Sequence, residues 1–158
     1  MPERIVINTG PLMALARMDV LDVVGRLPFE FVTPREVQAE LDEGVRLGHI
    51  PVAPSWLHTL ALQRPPSPVA VAALDSGEAA VIQLALEHSI TWVCIDEWKG
   101  RRAAASADLK VVGALDLLVK AKAQGLVPAM RPYVDKALAA GVGYGADLIR
   151  QVLTAAGE

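Results

Sequence analysis

The sequence predicts an α/β fold in which a central parallel sheet is covered by helices on both faces. Two observations lead to this prediction: short apolar runs alternate with stretches of helical periodicity, and the links between them are short. Parallel strands need a crossover connection, and a helix is the usual one. With 158 residues the chain is long enough for one domain with a substantial core. We therefore expect residues 1–158 to form a single three-layer α/β/α domain.

The first half of the chain begins with an apolar run that leads directly into a helix. Thr9 is a suitable N-cap and Pro11 suits the first helical turn. Thr33 and Glu36 form the signature of a capping box at the start of a second helix. The predicted elements are a strand over 4–7, a helix over 10–17 that continues helically to Gly25, a strand over 29–32, a helix over 34–43 that ends near Gly44, and a peripheral strand over 56–62.

The second half repeats the alternation and ends in helices. Prolines at 65, 66 and 68 predict a loop over 63–68. The predicted elements that follow are a helix over 76–88, a strand over 91–95, a helix over 99–107, a strand over 110–113, a helix over 114–124, a helix opened by Pro128 and ended by Gly141, and a helix over 145–156. The last 30 residues thus form a helical cap, and neither a repeat nor a domain boundary interrupts the pattern.

Composition and charge exclude several classes of protein. A net charge of −3 excludes a generally basic nucleic-acid binder, although a local basic patch remains compatible with it. The one cysteine, Cys94, excludes a disulfide framework and lies in an apolar run, where we expect it to be inert. No apolar stretch of 18 residues and no signal pattern is present, so we expect a cytoplasmic protein without a membrane segment.

Polar residues follow the predicted strands where parallel strands share one edge. Asn8 follows the first strand, and Asp96 and Glu97 follow the strand over 91–95. Glu78 lies in the first turn of a helix that begins at the same edge. Glu40 lies about two turns into its helix, beside the apolar stripe, and reaches the edge if its face points inward. Several elements therefore direct carboxylates to one place.

Each of these acids also has a purely structural interpretation. Glu78 completes a capping box with Asp75, Glu40 has the neighbours of a solvated helix residue, and Asp96 suits a turn after a strand. Their joint placement favours a functional interpretation, because clustered carboxylates repel one another unless a cation neutralises them. A cluster of carboxylates without histidine or cysteine is the ligand set of a hard cation, Mg²⁺ or Mn²⁺.

Basic residues follow the acids at once. Lys99, Arg101 and Arg102 are solvated helix residues on the simplest interpretation, but beside a metal they would suit phosphate oxygens. Trp98 offers a stacking surface for a base, although a partly buried packing role is the commoner one. The three histidines show no ligand spacing.

Several motifs of the chain resemble the PIN-domain superfamily, and more closely the small prokaryotic branch related to VapC-type toxins. The most specific are "LDSGEAAVIQLA" and "IDEWKGRRAA", with "VINTGPLMALAR" and "VTPREVQAEL" before them. The resemblance covers residues 4 to about 155. It implies a Rossmann-like α/β/α sandwich, a ribonuclease site of clustered acids that uses Mg²⁺ or Mn²⁺, and, for many members, inhibition by a partner antitoxin.

The resemblance also implies which residues form the site. The acid after the first strand corresponds to Asn8, and the acids of the later motifs correspond to Glu40, Glu78 and Asp96, with Glu97 in a neighbouring acidic position. Asn8 is the departure, because an amide oxygen ligates a metal without adding negative charge. Three acids remain, which is enough charge for one divalent ion, and a second ion would bind more weakly.

The leading hypothesis is a metal-dependent endoribonuclease, the toxin of a toxin–antitoxin pair. Glu40, Glu78 and Asp96 would hold the ion, with Asn8 and Glu97 as secondary ligands. Thr9 would position Asn8 or a water, and the three basic residues after Trp98 would hold RNA phosphates. The alternative is a catalytically weak or inactive PIN-fold protein that binds RNA or a protein partner. A nucleotide-binding protein is disfavoured, because no glycine-rich loop follows the first strand.

A homodimer is expected as well. The resemblance implies a dimer, because PIN-domain relatives are commonly dimers. The apolar fraction of 53% is also high for the surface of a monomer. Helices near 10–25 and the C-terminal helices are the predicted interface.

Overall fold

A computed structural model describes residues 2–158 of the chain. Its elements, in chain order, are β1 (Glu3–Ile7), α1 (Thr9–Arg17), α2 (Leu21–Val24), β2 (Phe29–Pro34), α3 (Arg35–Arg46), β3 (Leu57–Leu60), α4 (Pro68–Ala73), α5 (Ser76–Glu87), β4 (Trp92–Cys94), α6 (Trp98–Ser106), β5 (Lys110–Val112), α7 (Ala114–Ala123), α8 (Arg131–Ala139) and α9 (Ala146–Ala155).

The five strands form one parallel sheet in the order β3-β2-β1-β4-β5. β1 is central, with Ile5 opposite Phe31 of β2 on one side and Trp92 of β4 on the other. Most helix contacts fall into two groups, α1 with α2, α7 and α8, and α5 with α3, α4 and α6; α9 packs on α7, and α1 also contacts α3. The predicted α/β/α sandwich is confirmed.

The central strands are apolar where both of their faces are covered. Val6, Ile7, Val93 and Cys94 are fully buried, as a parallel sheet between helical layers requires. Burial also raises the pKa of the Cys94 thiol, which keeps it protonated and unreactive. Within residues 2–158, no helix has both the length and the apolar character that crossing a membrane demands.

The peripheral strand is confirmed as β3 at the edge of the sheet, where it pairs only with β2. The short helix α4 was not predicted. Its sequence, PVAVAA, is too small and too uniformly apolar to show helical periodicity, and none of its residues is buried. The helix is started by Ser67, whose side-chain oxygen accepts a hydrogen bond from the backbone of Ala70 at 3.1 Å.

Two predicted helix starts are wrong. Asn8, not Thr9, occupies the N-cap position of α1, and its side chain makes no capping hydrogen bond. Thr33 lies inside β2, where its hydroxyl donates to the carbonyl oxygen of Ile7 at 2.8 Å. The predicted capping pair of Thr33 with Glu36 therefore does not form, because the strand continues past the threonine and directs its hydroxyl to the neighbouring strand.

Three predicted helix limits are also wrong. The helical stretch over 10–25 divides into α1 and α2, because Asp19 adopts a positive φ of 59° that no helix continues through. Helix α3 runs past Gly44, which adopts helical geometry instead of ending it. Helix α8 begins after Pro128, with Pro132 in its first turn, so the proline that starts the helix is the later one.

Candidate metal centre

The order of the strands reverses between β1 and β4, and the acids lie where these two strands end. The backbone N–H of Asn8 donates to the carbonyl of Cys94 at 3.0 Å, which joins the two strand ends. Such a reversal leaves a crevice at the carboxyl edge of a parallel sheet. A cavity of about 920 Å³ opens there, and its wall carries six carboxylates, those of Glu40, Asp75, Glu78, Asp96, Glu97 and Asp116.

Asn8 and Glu40 meet over a glycine of helix α5. A Cβ atom on Gly77 would overlap Oε1 of Glu40 and would lie 3.3 Å from Oδ1 of Asn8. Both oxygens are buried and have no hydrogen-bond partner within residues 2–158. The absence of a side chain at residue 77 therefore lets two acceptor oxygens approach the start of α5 from different elements.

Glu78 forms the predicted capping box with one carboxylate oxygen, and its other oxygen takes no part in it. Its backbone N–H donates to Asp75 at 2.7 Å, and its Oε1 accepts from the backbone of Asp75 at 3.3 Å. Its Oε2 is buried without a partner in the described part of the chain and lies close to Gly100, where a Cβ would be 2.7 Å away. The structural and the functional interpretation of Glu78 are therefore compatible, since each uses a different oxygen.

Burial and neighbouring charge make Glu78 an unusual acid. Its side chain is only 3% exposed. Burial raises the pKa of Glu78 to about 7, the hydrogen bond from the Asp75 backbone opposes this, and the charges of Asp75 and Glu97 add to it. The carboxylates of Asp75, Glu78 and Glu97 each place an oxygen within 4.8 Å of the other two. Three carboxylates this close need a proton or a cation between them.

Glu40 shows the same effect more weakly. Burial raises the pKa of Glu40, and the charge of Asp75 raises it further. The hydroxyl of Thr9 is close enough to lower that pKa, but it lies outside hydrogen-bonding geometry. Thr9 thus faces the cluster as expected, at the first residue of α1.

The remaining two acids are held by the start of helix α7. Oδ1 of Asp96 accepts from the backbone N–H of Ala114 at 2.9 Å, and Oδ2 of Asp116 accepts from that of Gly113 at 2.7 Å. Arg101 lies beside them and donates to the carbonyl of Ile95 at 2.9 Å. Burial raises the pKa of Asp96, whereas the Ala114 N–H and the Arg101 charge lower it. This side of the cavity is therefore partly neutralised by the protein itself.

The donor set fits a hard divalent cation. Three of the buried oxygens without partners, Oδ1 of Asn8, Oε1 of Glu40 and Oε2 of Glu78, are pure acceptors that belong to the cavity wall, and burying an acceptor without a donor costs about 1–3 kcal/mol. Mg²⁺ and Mn²⁺ take oxygen ligands of these types. A cation bound beside Glu78 would offset the burial of its charge and the repulsion from Asp75 and Glu97, which together raise the pKa of Glu78.

Comparison with known proteins agrees with this interpretation of the cavity. The model of the family DUF3368, a PIN domain, matches residues 4–158. The chain belongs to this PIN-domain family. PIN domains are generally metal-dependent nucleases. Neither the curated proteins nor the solved structures contain a match to the chain.

The PIN-domain cavity brings together most, but not all, of the predicted site residues. Asn8, Thr9, Glu40, Glu78, Asp96, Glu97 and Arg101 all line it. Lys99 and Arg102 instead line a second cavity of about 620 Å³ between α4, α5 and α6. They lie on another face of α6, because residues one and two positions apart on a helix point in different directions.

Trp98 is 69% exposed at the rim of the PIN-domain cavity, so the expected partly buried packing role is wrong. The guanidinium of Arg102 lies over its ring, 5.6 Å from the centroid. The ring therefore connects the acidic cavity to the basic residues of α6.

Asp75, Asp116 and Tyr144 line the cavity with side chains that could act in the site, and none of the three was predicted from the sequence as a site residue. Asp75 was interpreted only as a helix cap, and Asp116 lies a full turn beyond the end of β5. Tyr144 enters from the segment between α8 and α9, which is distant in sequence from the other residues of the cavity. Asp116 had one usable signal, an acid three residues after the Gly113 that follows a strand, whereas Tyr144 had none.

Proposed function

We propose that this PIN domain is a metal-dependent endoribonuclease that uses Mg²⁺ or Mn²⁺. The observation that carries the proposal is that three buried acceptor oxygens, on Asn8, Glu40 and Glu78, line one acidic cavity and have no hydrogen-bond partner within residues 2–158. Glu40, Glu78 and Asp96 would hold the ion, with Asn8 and Glu97 as secondary ligands. Asp75 joins this set because its carboxylate lies in the same cluster as those of Glu78 and Glu97.

We assign different roles in phosphodiester cleavage to different residues of the cavity and its rim. The residues named above would hold a divalent ion, and when bound it would supply polarisation of the scissile phosphate and a lowered pKa of the attacking water. Arg101 supplies positive charge on the Asp96 side of the cavity, where it would attract a phosphate oxygen. Trp98, at the rim, would stack on an unpaired base, and Arg102 and Lys99 would hold phosphates farther along the strand.

The neutral side chain of Asn8 sets the limit of this proposal. It supplies an oxygen but no charge, so it favours occupancy by one ion over two. The same feature favours a second candidate function, a PIN-fold protein that binds RNA or a protein partner without cleaving RNA. Micromolar binding of Mn²⁺, measured by calorimetry, would support the nuclease, and no binding at millimolar Mn²⁺ would support the second candidate.

We also propose that the chain acts as a toxin that an antitoxin protein restrains, and that it forms a homodimer. Both proposals rest on the sequence resemblance to VapC-type toxins. Exposed leucines in α8 and α9, Leu138 and Leu148, are consistent with an interface that includes the C-terminal helices. A sedimentation value of a monomer at micromolar concentration would remove the dimer.

The nuclease is tested by cleavage of single-stranded and structured RNA in Mg²⁺ or Mn²⁺. We expect cleavage by the wild type, none in chelator, and none by Asp96→Asn. The asparagine oxygen still accepts from the Ala114 N–H, so this variant should fold. The matched control is Glu43→Gln, which removes a carboxylate of α3 that pairs with Arg46 on the surface. Equal activity in Asp96→Asn and the wild type would mean that the cavity is not the nuclease site.

A further inference from the structure

One part of the cavity wall comes from the C-terminal end of the chain. Gly141, with a φ of 86°, ends α8, and the N–H of Val142 then bonds to the carbonyl of Ala137 at 2.9 Å. This turn reverses the chain and places residues 142–144 in the cavity wall. Tyr144 is the residue of this segment whose side chain carries a hydrogen-bonding group.

The hydroxyl of Tyr144 is buried and has no hydrogen-bond partner within residues 2–158. The ring packs against the hydrophobic core, so the hydroxyl adds nothing to that packing. A buried hydroxyl without a partner costs free energy, and a phenylalanine at the same position would not incur that cost. The hydroxyl is therefore better explained by a ligand than by the fold.

The hydroxyl is a donor in a cavity rich in acceptors. Burial and the charge of Asp96 hold the pKa of Tyr144 far above neutrality, so the proton is present at every physiological pH. The six carboxylates of the wall offer only acceptors when ionised. An RNA phosphate is an acceptor too, and the carboxylates of the wall do not supply the donors that it needs. Arg101 lies close enough to Asp96 to lower its pKa, and Asp96 lies close enough to Tyr144 to raise the pKa of the hydroxyl, so these two donors line the Asp96 side of the cavity.

We propose that Tyr144 and Arg101 form a subsite for a phosphate oxygen of single-stranded RNA, with the Tyr144 hydroxyl as a hydrogen-bond donor. The inference rests on the proposed nuclease function and adds a substrate-binding residue from the C-terminal segment. A hydroxyl that donates to a charged phosphate is worth more than one that bonds to a neutral group, so its loss should weaken substrate binding by about tenfold to a hundredfold.

Tyr144→Phe tests the subsite, because it removes the hydroxyl and keeps the ring. We expect KM for a labelled single-stranded RNA to rise about tenfold or more in Mn²⁺. The midpoint of urea unfolding without RNA should stay the same or rise, because an unpartnered buried group has been removed. The matched control is Tyr133→Phe, a partly buried tyrosine of α8 that lies outside the cavity wall, and it should leave KM unchanged.

The outcomes separate this inference from the proposed function. If the wild type cleaves RNA and Tyr144→Phe has the same KM, the subsite is wrong and the nuclease stands. If Tyr144→Phe lowers the unfolding midpoint together with activity, the hydroxyl has a structural role and the subsite is also wrong. If the wild type itself neither binds nor cleaves RNA, the proposed function fails and the subsite fails with it.

Discussion

The two sides of the acidic cavity hold their carboxylates differently. On the side of α3 and α5, Glu40 and Glu78 each bury an oxygen without a partner, and Asn8 buries a third. On the side of α7, Asp96 and Asp116 each accept a backbone N–H, and Arg101 is close enough to lower the pKa of Asp96. The oxygens on the first side lack partners from the protein, whereas those on the second side have hydrogen-bond donors or a positive charge from the protein beside them.

This difference separates binding of a cation from organisation of the fold. Asp96 connects the end of β4 to the start of α7 through its bond to Ala114, so it would hold its position with or without a metal. Glu78 is fixed through one oxygen by its capping box and leaves the other free. If a cation binds here, Asp96 would be a preorganised ligand on one side, and the cation would stabilise the repelling carboxylates on the other.

The largest expected effect comes from Glu78, on the side of α3 and α5, and it depends on pH. The folded protein holds the proton of Glu78 up to a pKa of about 7, whereas the unfolded chain releases it near 4.5. Between these values the folded state binds more protons, so the free energy of unfolding should fall as the pH rises, by on the order of 2–3 kcal/mol without metal. Below 4.5 and above 7 this contribution is constant.

Glu78→Gln should remove most of that slope, and urea unfolding from pH 4.5 to 8 in chelator measures it. The burial that raises the pKa of Glu40 and Asp96 leaves a smaller slope of the same sign. Glu43→Gln, the surface control, should keep the wild-type slope. Mn²⁺ should reverse the trend in the wild type, because the cation competes with the proton. If Glu78→Gln kept the wild-type slope of the free energy of unfolding against pH, a group other than Glu78 would be responsible for that slope.

The next effect tests the contact between α3 and α5. A methyl group at Gly77 would overlap the end of the Glu40 side chain, which is flexible, so Gly77→Ala should turn Glu40 out of the cluster with a stability change below about 1 kcal/mol. Loss of one carboxylate should weaken Mn²⁺ binding by about tenfold to a hundredfold in calorimetry. Gly10→Ala is the control, since a Cβ there meets nothing within 4 Å. Unchanged Mn²⁺ affinity in Gly77→Ala would remove Glu40 from the site.

Sequence reasoning found the residues that the topology alone brings together. Asn8, Glu78 and Asp96 follow strands or begin helices at one edge of a parallel sheet, so alternation of strands and helices is enough to place them. Glu40 lies inside a helix, and its inclusion depended on which face of α3 turns inward. The resemblance to the PIN-domain superfamily supported the same four positions.

The residues that were missed or misplaced depend on packing that no local pattern records. Tyr144 reaches the cavity only because the chain turns back after α8, and Lys99 and Arg102 miss it because α6 turns them to the other cavity. Asp75 was missed because its role as the N-cap of α5 already explained an acid at this position. Helix α4 buries none of its residues, so it lacks the amphipathic pattern from which helices are predicted.

The smallest expected effect tests whether Asn8 belongs to the cation site together with Glu40 and Glu78. Asn8→Asp adds a negative charge beside Glu40, because both residues place an oxygen over Gly77. In chelator the added repulsion should lower the melting temperature and raise the pKa of a neighbouring carboxyl. With Mn²⁺ the same charge should tighten binding by about tenfold, since attraction to the cation exceeds the repulsion between the acids. Melting of the variant should therefore depend more steeply on Mn²⁺ than that of the wild type. Gln38→Glu adds a charge on the solvent side of α3 and should respond to Mn²⁺ as the wild type does. An equal response in Asn8→Asp would mean that the Asn8 side chain lies outside the cation site, which would then consist of carboxylates alone.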